Sequence, residues 1–265
     1  METLSSLAYP PPPPTFLNAF TVLCMVTMPF TGFSEVNGVH LQYSKFWNVG
    51  PRKKFVGTVS GRTGMAIIYL PALLASISSL TLFGRDEGLR FLLLRLSLTV
   101  HFLKRVLEVL FVHKFSAQVA VDAMIVISFS YLMMSACTIY SLLLCQSRFR
   151  EPAINLTYPG LVLFLIGIGG NFYHHLLLSR LRGKYEKEYK IPKGGLFDWV
   201  ICPHYLFEII DFIGIAFLCQ TTYSFVVAMN TIFYLAGRSH ATRKWYRSKF
   251  EDFPEGVKAL VPYVF

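Results

Sequence analysis

Charged side chains are scarce in this sequence. Asp, Glu, Lys and Arg make up 15% of its 265 residues, whereas 54% of the residues are hydrophobic. This composition, with a mean hydropathy of +0.48, excludes a soluble domain of this length and indicates a membrane protein. Acidic residues are scarcer than basic ones, 15 against 25. The basic residues fall between and after apolar runs, as membrane topology requires, so their excess does not predict nucleic-acid binding.

Cysteines at metal-binding spacing are also missing. The chain has five cysteines, an odd number, and no Cys-x-x-Cys. Most of them fall within or at the edge of apolar runs. We therefore expect neither a disulfide framework nor a zinc site, and we predict no other metal.

Apolar runs divide the chain into seven predicted transmembrane helices. No basic leader or small-residue cleavage site accompanies the first run, so we interpret it as a retained helix rather than a signal peptide. Most runs approach the roughly 20 residues that a bilayer requires. The predicted fold is all-α, a polytopic bundle of about seven transmembrane helices that forms one integral membrane domain over residues 1–265. The runs are 16–33, 65–83, 91–112, 119–144, 158–178, 205–219 and 223–236.

The distribution of basic residues predicts the orientation of the bundle. They concentrate in the first and fifth loops and in the tail after the seventh helix, which all lie on one side. The positive-inside rule places that side, with the C-terminus, in the cytosol and the N-terminus in the lumen. The sequon Asn155-Leu156-Thr157 then falls in a lumenal loop. The basic residues of the three segments are Lys45, Arg52, Lys53, Lys54 and Arg62; Arg180, Arg182, Lys184, Lys187, Lys190 and Lys193; and Arg238, Arg243, Lys244, Arg247, Lys249 and Lys258.

The third helix carries ionisable residues on one face. His101, Arg105 and Glu108 recur at helical spacing, and Lys104 stands one turn before Glu108. One interpretation is that Lys104 or Arg105 neutralises Glu108 inside the bundle. The other is that these residues form a functional site, because ionisable groups within a membrane are costly.

The fifth helix and the segment after it suggest a ligand-binding face. Asn171 and His175 share a face to which Arg182 returns about three turns later. Interhelical hydrogen bonding is one explanation. A long ligand with polar rings and phosphates is another, since guanidinium groups bind phosphates well. The Gly194-Gly195 pair permits a close backbone approach, and Glu208 lies in an apolar setting where a carboxylate needs a partner.

Several ordered motifs carry a family resemblance. Over roughly residues 160–265 the chain resembles the C-terminal domain of the steroid 5α-reductase family, and it is most similar to plant members called 3-oxo-5α-steroid 4-dehydrogenases. The motifs are Gly170-Asn171-Phe172, Leu181-Arg182, Tyr189-Lys190-Ile191-Pro192-Lys193-Gly194-Gly195-Leu196-Phe197, Cys202-Pro203-His204-Tyr205-Leu206-Phe207-Glu208, Trp245-Tyr246 and Lys258-Ala259-Leu260-Val261-Pro262-Tyr263-Val264-Phe265.

The resemblance implies an enzyme of the endoplasmic reticulum that uses NADPH to reduce a carbon-carbon double bond conjugated to a carbonyl. It implies that the cofactor lies inside the bundle under cytosolic capping loops. We expect no flavin, since no separate domain is available to hold one, and no obligate protein partner. The positions that it assigns to the cofactor are Tyr43, Asn171, His175, Arg182, Tyr189, His204, Glu208, Arg238 and Tyr246, of which His175 and His204 replace the usual aspartate and asparagine.

The departures from the family pattern concern the substrate. Animal steroid reductases place a glutamate of the second helix and a tyrosine of the third against the steroid ketone, and here Tyr69 and Phe102 stand at those positions. The third helix instead resembles trans-2-enoyl-CoA reductases and polyprenal reductases. Three hypotheses follow: a 3-oxo-Δ4-steroid 5α-reductase, which we prefer, an enoyl-CoA or polyprenal reductase, and a non-catalytic membrane scaffold.

Under either enzymatic hypothesis, the protein must supply a hydrogen-bond donor to the carbonyl oxygen of the enone. Negative charge grows on the carbonyl oxygen as hydride reaches the β-carbon, so a donor aimed at that oxygen lowers the barrier. We predict that Tyr69 is this donor, with His101 or the pair Lys104 and Arg105 as second candidates. A lipid-like enone held within the bilayer is the expected substrate.

Overall fold

The computed structural model describes residues 6–13, 15–47, 57–84, 88–181, 183, 186 and 188–265. Seven long α-helices account for most of them, and each overlaps one of the predicted apolar runs, so the predicted all-α bundle is confirmed. The seventh helix continues to Lys249, 13 residues past its predicted end at residue 236, into what was predicted as a tail. They are α1 (Thr15–Val36), α2 (Gly61–Leu82), α3 (Leu89–Leu107), α4 (Val121–Gln146), α5 (Thr157–Arg180), α6 (Pro203–Cys219) and α7 (Thr222–Lys249). A π-helical turn, Glu108–Val112, continues α3.

Local signals set several helix ends. Ser60 begins α2 by accepting a hydrogen bond from the Thr63 amide. Proline at the first position opens α6, where its missing N–H costs nothing. A reciprocal capping box of Thr221 and Ser224 starts α7.

Four helices are long and apolar enough to cross a bilayer by length and composition alone: α1, α2, α4 and α5. Helix α6 is short at 17 residues. Helices α3 and α7 carry charged residues that point into the bundle, among them Arg95, Arg105 and Arg238, whose side chains are buried. The apolar helices therefore shield a polar interior that α3, α6 and α7 supply.

Glycine allows α5 and α6 to pack very closely. A Cβ atom added to Gly167 would lie 2.4 Å from the backbone nitrogen of Asp211 and 2.6 Å from its Cα. Separations below 3.0 Å between such atoms do not occur, so any side chain here must push the two helices apart.

This contact gives a first prediction. Gly167→Ala should destabilise the folded protein by about 1–3 kcal/mol, the usual cost of overpacking. Gly169→Ala is the matched control two residues away, because nothing lies within 4 Å of its added Cβ. The thermal midpoint, followed with a dye that reacts with newly exposed cysteines, measures both, since four of the five cysteines are buried. Equal midpoints for the two variants would contradict the close packing.

The loops that connect consecutive helices lie alternately at the two ends of the bundle. At one end, β1 (Thr58–Ser60) pairs antiparallel with β2 (Gln118–Ala120), which joins the first and third connections. At the other end, the Gln220 side chain contacts Arg90, the Leu7 carbonyl and the Ile154 carbonyl, which joins the N-terminal segment and the first turn of α3 to the fourth and sixth connections. This alternation matches the predicted topology. The two strands, three residues each, had no counterpart in the prediction.

Candidate functional site

The centre of the bundle brings Tyr69 of α2 against Arg105 of α3. The Arg105 guanidinium donates a short hydrogen bond to the Tyr69 hydroxyl oxygen, and its Cζ lies 4.7 Å from the centre of the tyrosine ring. A guanidinium has donors only, so the Tyr69 oxygen must accept in this bond. The hydroxyl proton of Tyr69 is therefore not used by Arg105 and can be offered to another oxygen.

The predicted substrate residue Phe102 lies beside this pair. Both Tyr69 and Phe102 pack against the ring of Tyr131 of α4, with ring centres 5.4 and 5.7 Å from it. The three rings form one aromatic wall in the interior. Tyr131 was not singled out from the sequence, because it stands in an apolar run with nothing to distinguish it.

Glu108 is the hub of a buried ion network. Its carboxylate lies 3.2 Å from Lys104 Nζ, 3.2 Å from Arg105 Nη1 and 3.0 Å from His175 Nδ1, and its side chain is 1% exposed. The predicted neutralisation of Glu108 by Lys104 or Arg105 is thus confirmed, and both residues take part. The network also ties α3 to α5 and fixes the guanidinium that contacts Tyr69.

Glu108 and His175 also form a cluster with His113 that could hold a metal ion by geometry, since ligand atoms of the three lie within 4.8 Å of one another. Lys104 and Arg105 already balance the charge of this carboxylate and would repel a divalent cation. The cluster is therefore better explained as an ion-pair network.

His113 follows the π-helical turn and is expected to make folding sensitive to acid. Burial, and then the charge of Arg105, lower the pKa of His113 from 6.5 to about 4. Between those two pH values the unfolded chain binds a proton that the folded imidazole does not, so stability should fall as the pH drops through this interval and be unaffected above it. His113→Gln should reduce the fall in thermal midpoint, and an unchanged profile would contradict this assignment.

Asn171, His204 and Glu208 meet where α5 crosses α6. The Asn171 amide nitrogen donates to the His204 carbonyl at 2.8 Å and lies 3.5 Å from a Glu208 oxygen. Lys104 donates a short hydrogen bond to the Asn171 carbonyl oxygen. Nδ1 of His204 is buried and has no hydrogen-bond partner among the described residues. A polar ligand at this crossing would satisfy that nitrogen.

His101 forms a pair that the sequence analysis missed. Its Nδ1 lies 2.5 Å from a carboxylate oxygen of Asp211 in α6, and both side chains are at most 2% exposed. The edges of Phe102 and Phe212 enclose the imidazole. Asp211 stands three residues after Glu208 in the same apolar helix. An ionisable residue within a membrane helix is a candidate functional residue, and this criterion, which selected Glu208, would also have selected Asp211.

A second polar centre joins α1 to α7. Both oxygens of Glu35 accept from Arg238 Nη1, at 2.9 and 3.0 Å, and both side chains are 1% exposed. The guanidinium lies between the rings of Tyr43 and Phe46, with its Cζ 4.4 and 4.1 Å from their centres. The structure thus brings together Tyr43 and Arg238, two predicted cofactor residues. Their acidic partner Glu35 was not predicted.

Tyr189 and Tyr246 flank Trp245 near the end of α7, with ring centres 4.9 and 5.0 Å from it. Lys45 lies over the Tyr246 ring at 5.3 Å and Lys249 over the Tyr189 ring at 5.1 Å. Arg182 lies outside the described residues. The other predicted residues fall into an interior group around Tyr69 and an aromatic, basic group near the α7 end.

This distribution fits an elongated ligand with a polar ring and phosphates. The interior group offers the unpartnered His204 nitrogen and the buried Asn171 amide. The other group offers aromatic faces and cations. A dinucleotide has these complementary parts, so the residues present fit NADPH.

Comparison with known proteins gives consistent matches. A family model described as 3-oxo-5-alpha-steroid 4-dehydrogenase matches residues 117–265, more than half of the chain. The very-long-chain enoyl-CoA reductase of Dictyostelium discoideum is 33% identical over 168 residues, which is 63% of this chain and 55% of that protein.

Two relatives named for steroids match a shorter segment. The 3-oxo-5-alpha-steroid 4-dehydrogenase 2 of Macaca fascicularis is 37% identical over 106 residues, 40% of this chain and 42% of that protein. The steroid 5-alpha-reductase DET2 of Gossypium hirsutum is 36% identical over 107 residues, again 40% and 42%. The chain spans about half the length of the curated relatives that it matches.

Proposed function

Because the chain belongs to the 3-oxo-5-alpha-steroid 4-dehydrogenase family, we propose that it is an oxidoreductase that reduces the carbon-carbon double bond of an α,β-unsaturated carbonyl lipid with NADPH. The proposed reaction converts a 3-oxo-Δ4-steroid to the 3-oxo-5α-steroid. The names of the steroid reductase relatives support this substrate class. The observation that carries the proposal in the structure is the Tyr69 hydroxyl, buried in the bundle with its proton unused by Arg105.

Tyr69 donates its proton in a hydrogen bond to the substrate carbonyl oxygen. NADPH, when bound, supplies the hydride that reaches the β-carbon. The Arg105 guanidinium withdraws electron density from the Tyr69 oxygen, which makes the phenol a stronger donor as charge grows on the enolate. Glu108 holds Arg105 through the other terminal nitrogen, Nη1. The aromatic wall of Tyr69, Phe102 and Tyr131 gives the substrate a flat apolar surface.

His101 is the second candidate for a proton donor. Asp211 fixes its ring and tautomer through Nδ1, as a carboxylate does for an imidazole that handles protons. In this assignment His101 and Asp211 act as a pair in the protonation of the α-carbon. Lys104, held by Glu108 and Asn171, would be a further donor at the ring end of bound NADPH.

NADPH would be held by the two groups of residues described above. Asn171, His175, His204 and Glu208 would bind its ring end inside the bundle. Tyr43, Tyr189, Arg238 and Tyr246 would bind or enclose its phosphate and adenine end, and the resemblance assigns Arg182 to the cofactor as well. Arg238 acts through its stacking on Tyr43, because its charge is already balanced by Glu35.

A very-long-chain enoyl thioester is the second candidate substrate. The match to the Dictyostelium discoideum enoyl-CoA reductase covers more of this chain than the matches to the steroid reductases do. Microsomes that contain the chain, supplied with NADPH and either a steroid enone or an enoyl thioester, distinguish the two by product analysis. Reduction of the thioester without the steroid would overturn the steroid assignment and keep the reaction class.

Four apolar helices support a multi-pass membrane protein. Within that class we propose the endoplasmic reticulum membrane, with the α7 end and its tail in the cytosol. The proposed substrate enters from the bilayer, and no protein partner is needed for the reaction.

NADPH should protect the full chain against heat. A ligand at about 100 times its Kd stabilises the folded state by about 2.7 kcal/mol, which raises the thermal midpoint measurably. NADH, which lacks the 2′-phosphate, is the control and should protect less at the same concentration. Absence of protection by either nucleotide would favour the non-catalytic scaffold.

A further inference from the structure

The last turns of α7 carry an exposed basic face that the proposed reaction does not use. Arg238, Thr242 and Tyr246 point inward and are buried. The opposite face forms the wall of a groove of about 440 Å³. Its lining residues are His240, Arg243, Lys244, Arg247 and Ser248.

The basic side chains of this groove have no acidic partner within the part of the chain that the structure describes. There, no carboxylate forms an ion pair with Arg243, Lys244 or Arg247. Arg243 is fixed by backbone carbonyls, because its Nε donates to Val257 at 2.6 Å and its Nη2 to Glu255 at 3.0 Å. The groove therefore presents a guanidinium anchored on backbone carbonyls together with two further basic side chains, a set that suits a phosphate.

An exposed apolar turn borders the groove. The ring of Phe265 stacks on His240 with ring centres 6.3 Å apart. Tyr263 and Val264 are 79% and 78% exposed. Two backbone hydrogen bonds between Val261 and Phe265 close this turn and hold the exposed side chains beside the groove. Large apolar side chains held outward next to a basic groove are typical of a membrane interface.

The length of α7 places the groove at headgroup level. A helix of 28 residues is about 42 Å long, whereas the hydrocarbon core of a bilayer is about 30 Å thick. The apolar part of α7 is residues 223–236, so the excess length falls in the basic last turns, which extend into the interface. Trp199, whose ring lies 6.4 Å from that of Tyr263, and Trp245 on α7 supply the aromatic side chains that prefer this level.

We propose that this groove binds the headgroup of an acidic phospholipid from the surrounding leaflet. The lipid phosphate lies between Arg243, Lys244 and Arg247, and Tyr263 and Val264 lie among the adjacent acyl chains. The bilayer is the source of the anion because the apolar border of the groove needs acyl chains to cover it. The site does not depend on the proposed reaction.

Quenching of tryptophan by brominated lipids tests this site. The full chain is reconstituted in phosphatidylcholine bilayers that contain a minor fraction of either brominated phosphatidylserine or brominated phosphatidylcholine. Trp199 reports on the groove, because its ring lies beside Tyr263 at the apolar border. Each basic residue near an anionic surface contributes roughly a factor of five to binding. We therefore expect stronger quenching by the brominated serine lipid, and loss of most of that excess in Lys244→Gln/Arg247→Gln.

The matched control removes two exposed charges from the same predicted side, in Arg62→Gln/Lys193→Gln, and should retain the excess. Thermal midpoints confirm that all variants are folded. Equal quenching by the two lipids in the unmodified chain, or an excess that survives in Lys244→Gln/Arg247→Gln, would overturn the proposal. Loss of the excess on addition of inorganic phosphate would also overturn it, since the groove would then bind a soluble anion.

Discussion

Tyr69→Phe should lower the turnover of an enone substrate by about 100- to 1,000-fold, because removal of one donor to a developing oxyanion typically costs that much. The substitution keeps the ring, its packing on Tyr131 and the cation-π contact with Arg105. It removes only the hydroxyl that Arg105 polarises. The affinity for NADPH should stay the same, so the loss should appear in kcat.

The measurement is turnover of the purified chain with saturating NADPH. Tyr140→Phe is a suitable control, because Tyr140 lies on an apolar helix and is 44% exposed. It should retain full turnover. If Tyr69→Phe also retains it, the donor lies elsewhere, and His101→Ala and Asp211→Asn become the variants to compare.

Glu35→Ala should destabilise the protein by about 3–5 kcal/mol, the usual cost of leaving a buried charge without its partner. Arg238 is 1% exposed and has both oxygens of Glu35 as partners. With the carboxylate gone, the guanidinium stays between Tyr43 and Phe46 with no counter-charge. The contact between the loop after α1 and α7 should loosen as a result.

Glu151→Ala provides the control for this prediction. Glu151 also pairs with a buried arginine, Arg90 at 3.4 Å, but its side chain is 58% exposed. Water screens such a pair, so its loss should cost about 1 kcal/mol or less. The thermal midpoints of the two variants are measured side by side, and Glu35→Ala should lower the midpoint more than Glu151→Ala does. A cost for Glu35→Ala no larger than that for Glu151→Ala would show that the buried pair is not a structural anchor.

The sequence predicted the structural features that depend on residues close together along the chain. Apolar runs predicted all seven helices, and the spacing of Lys104, Arg105 and Glu108 predicted their ion pairs, because residues three and four apart meet on a helix. The two short strands escaped prediction because three residues carry no measurable alternation.

Contacts between helices that are distant in the sequence could not be predicted from the spacing of residues. Tyr69 with Arg105, His101 with Asp211 and Glu35 with Arg238 each depend on how two helices are rotated against each other. Rotation is set by close packing such as that of Gly167 on Asp211, which no periodicity reveals. For this reason the interior cations were predicted as site residues, whereas the acids Asp211 and Glu35 that hold two of the site residues were missed.

Transfer of a label from NADPH tests the central claim most directly. The purified chain is supplied with NADPH deuterated at the transferred position and with a steroid enone or an enoyl thioester, and the product is analysed by mass spectrometry. We expect the reduced product to carry one deuterium at the former β-carbon. A reduced product without deuterium, or no reduction of any conjugated enone by folded protein, would contradict the account.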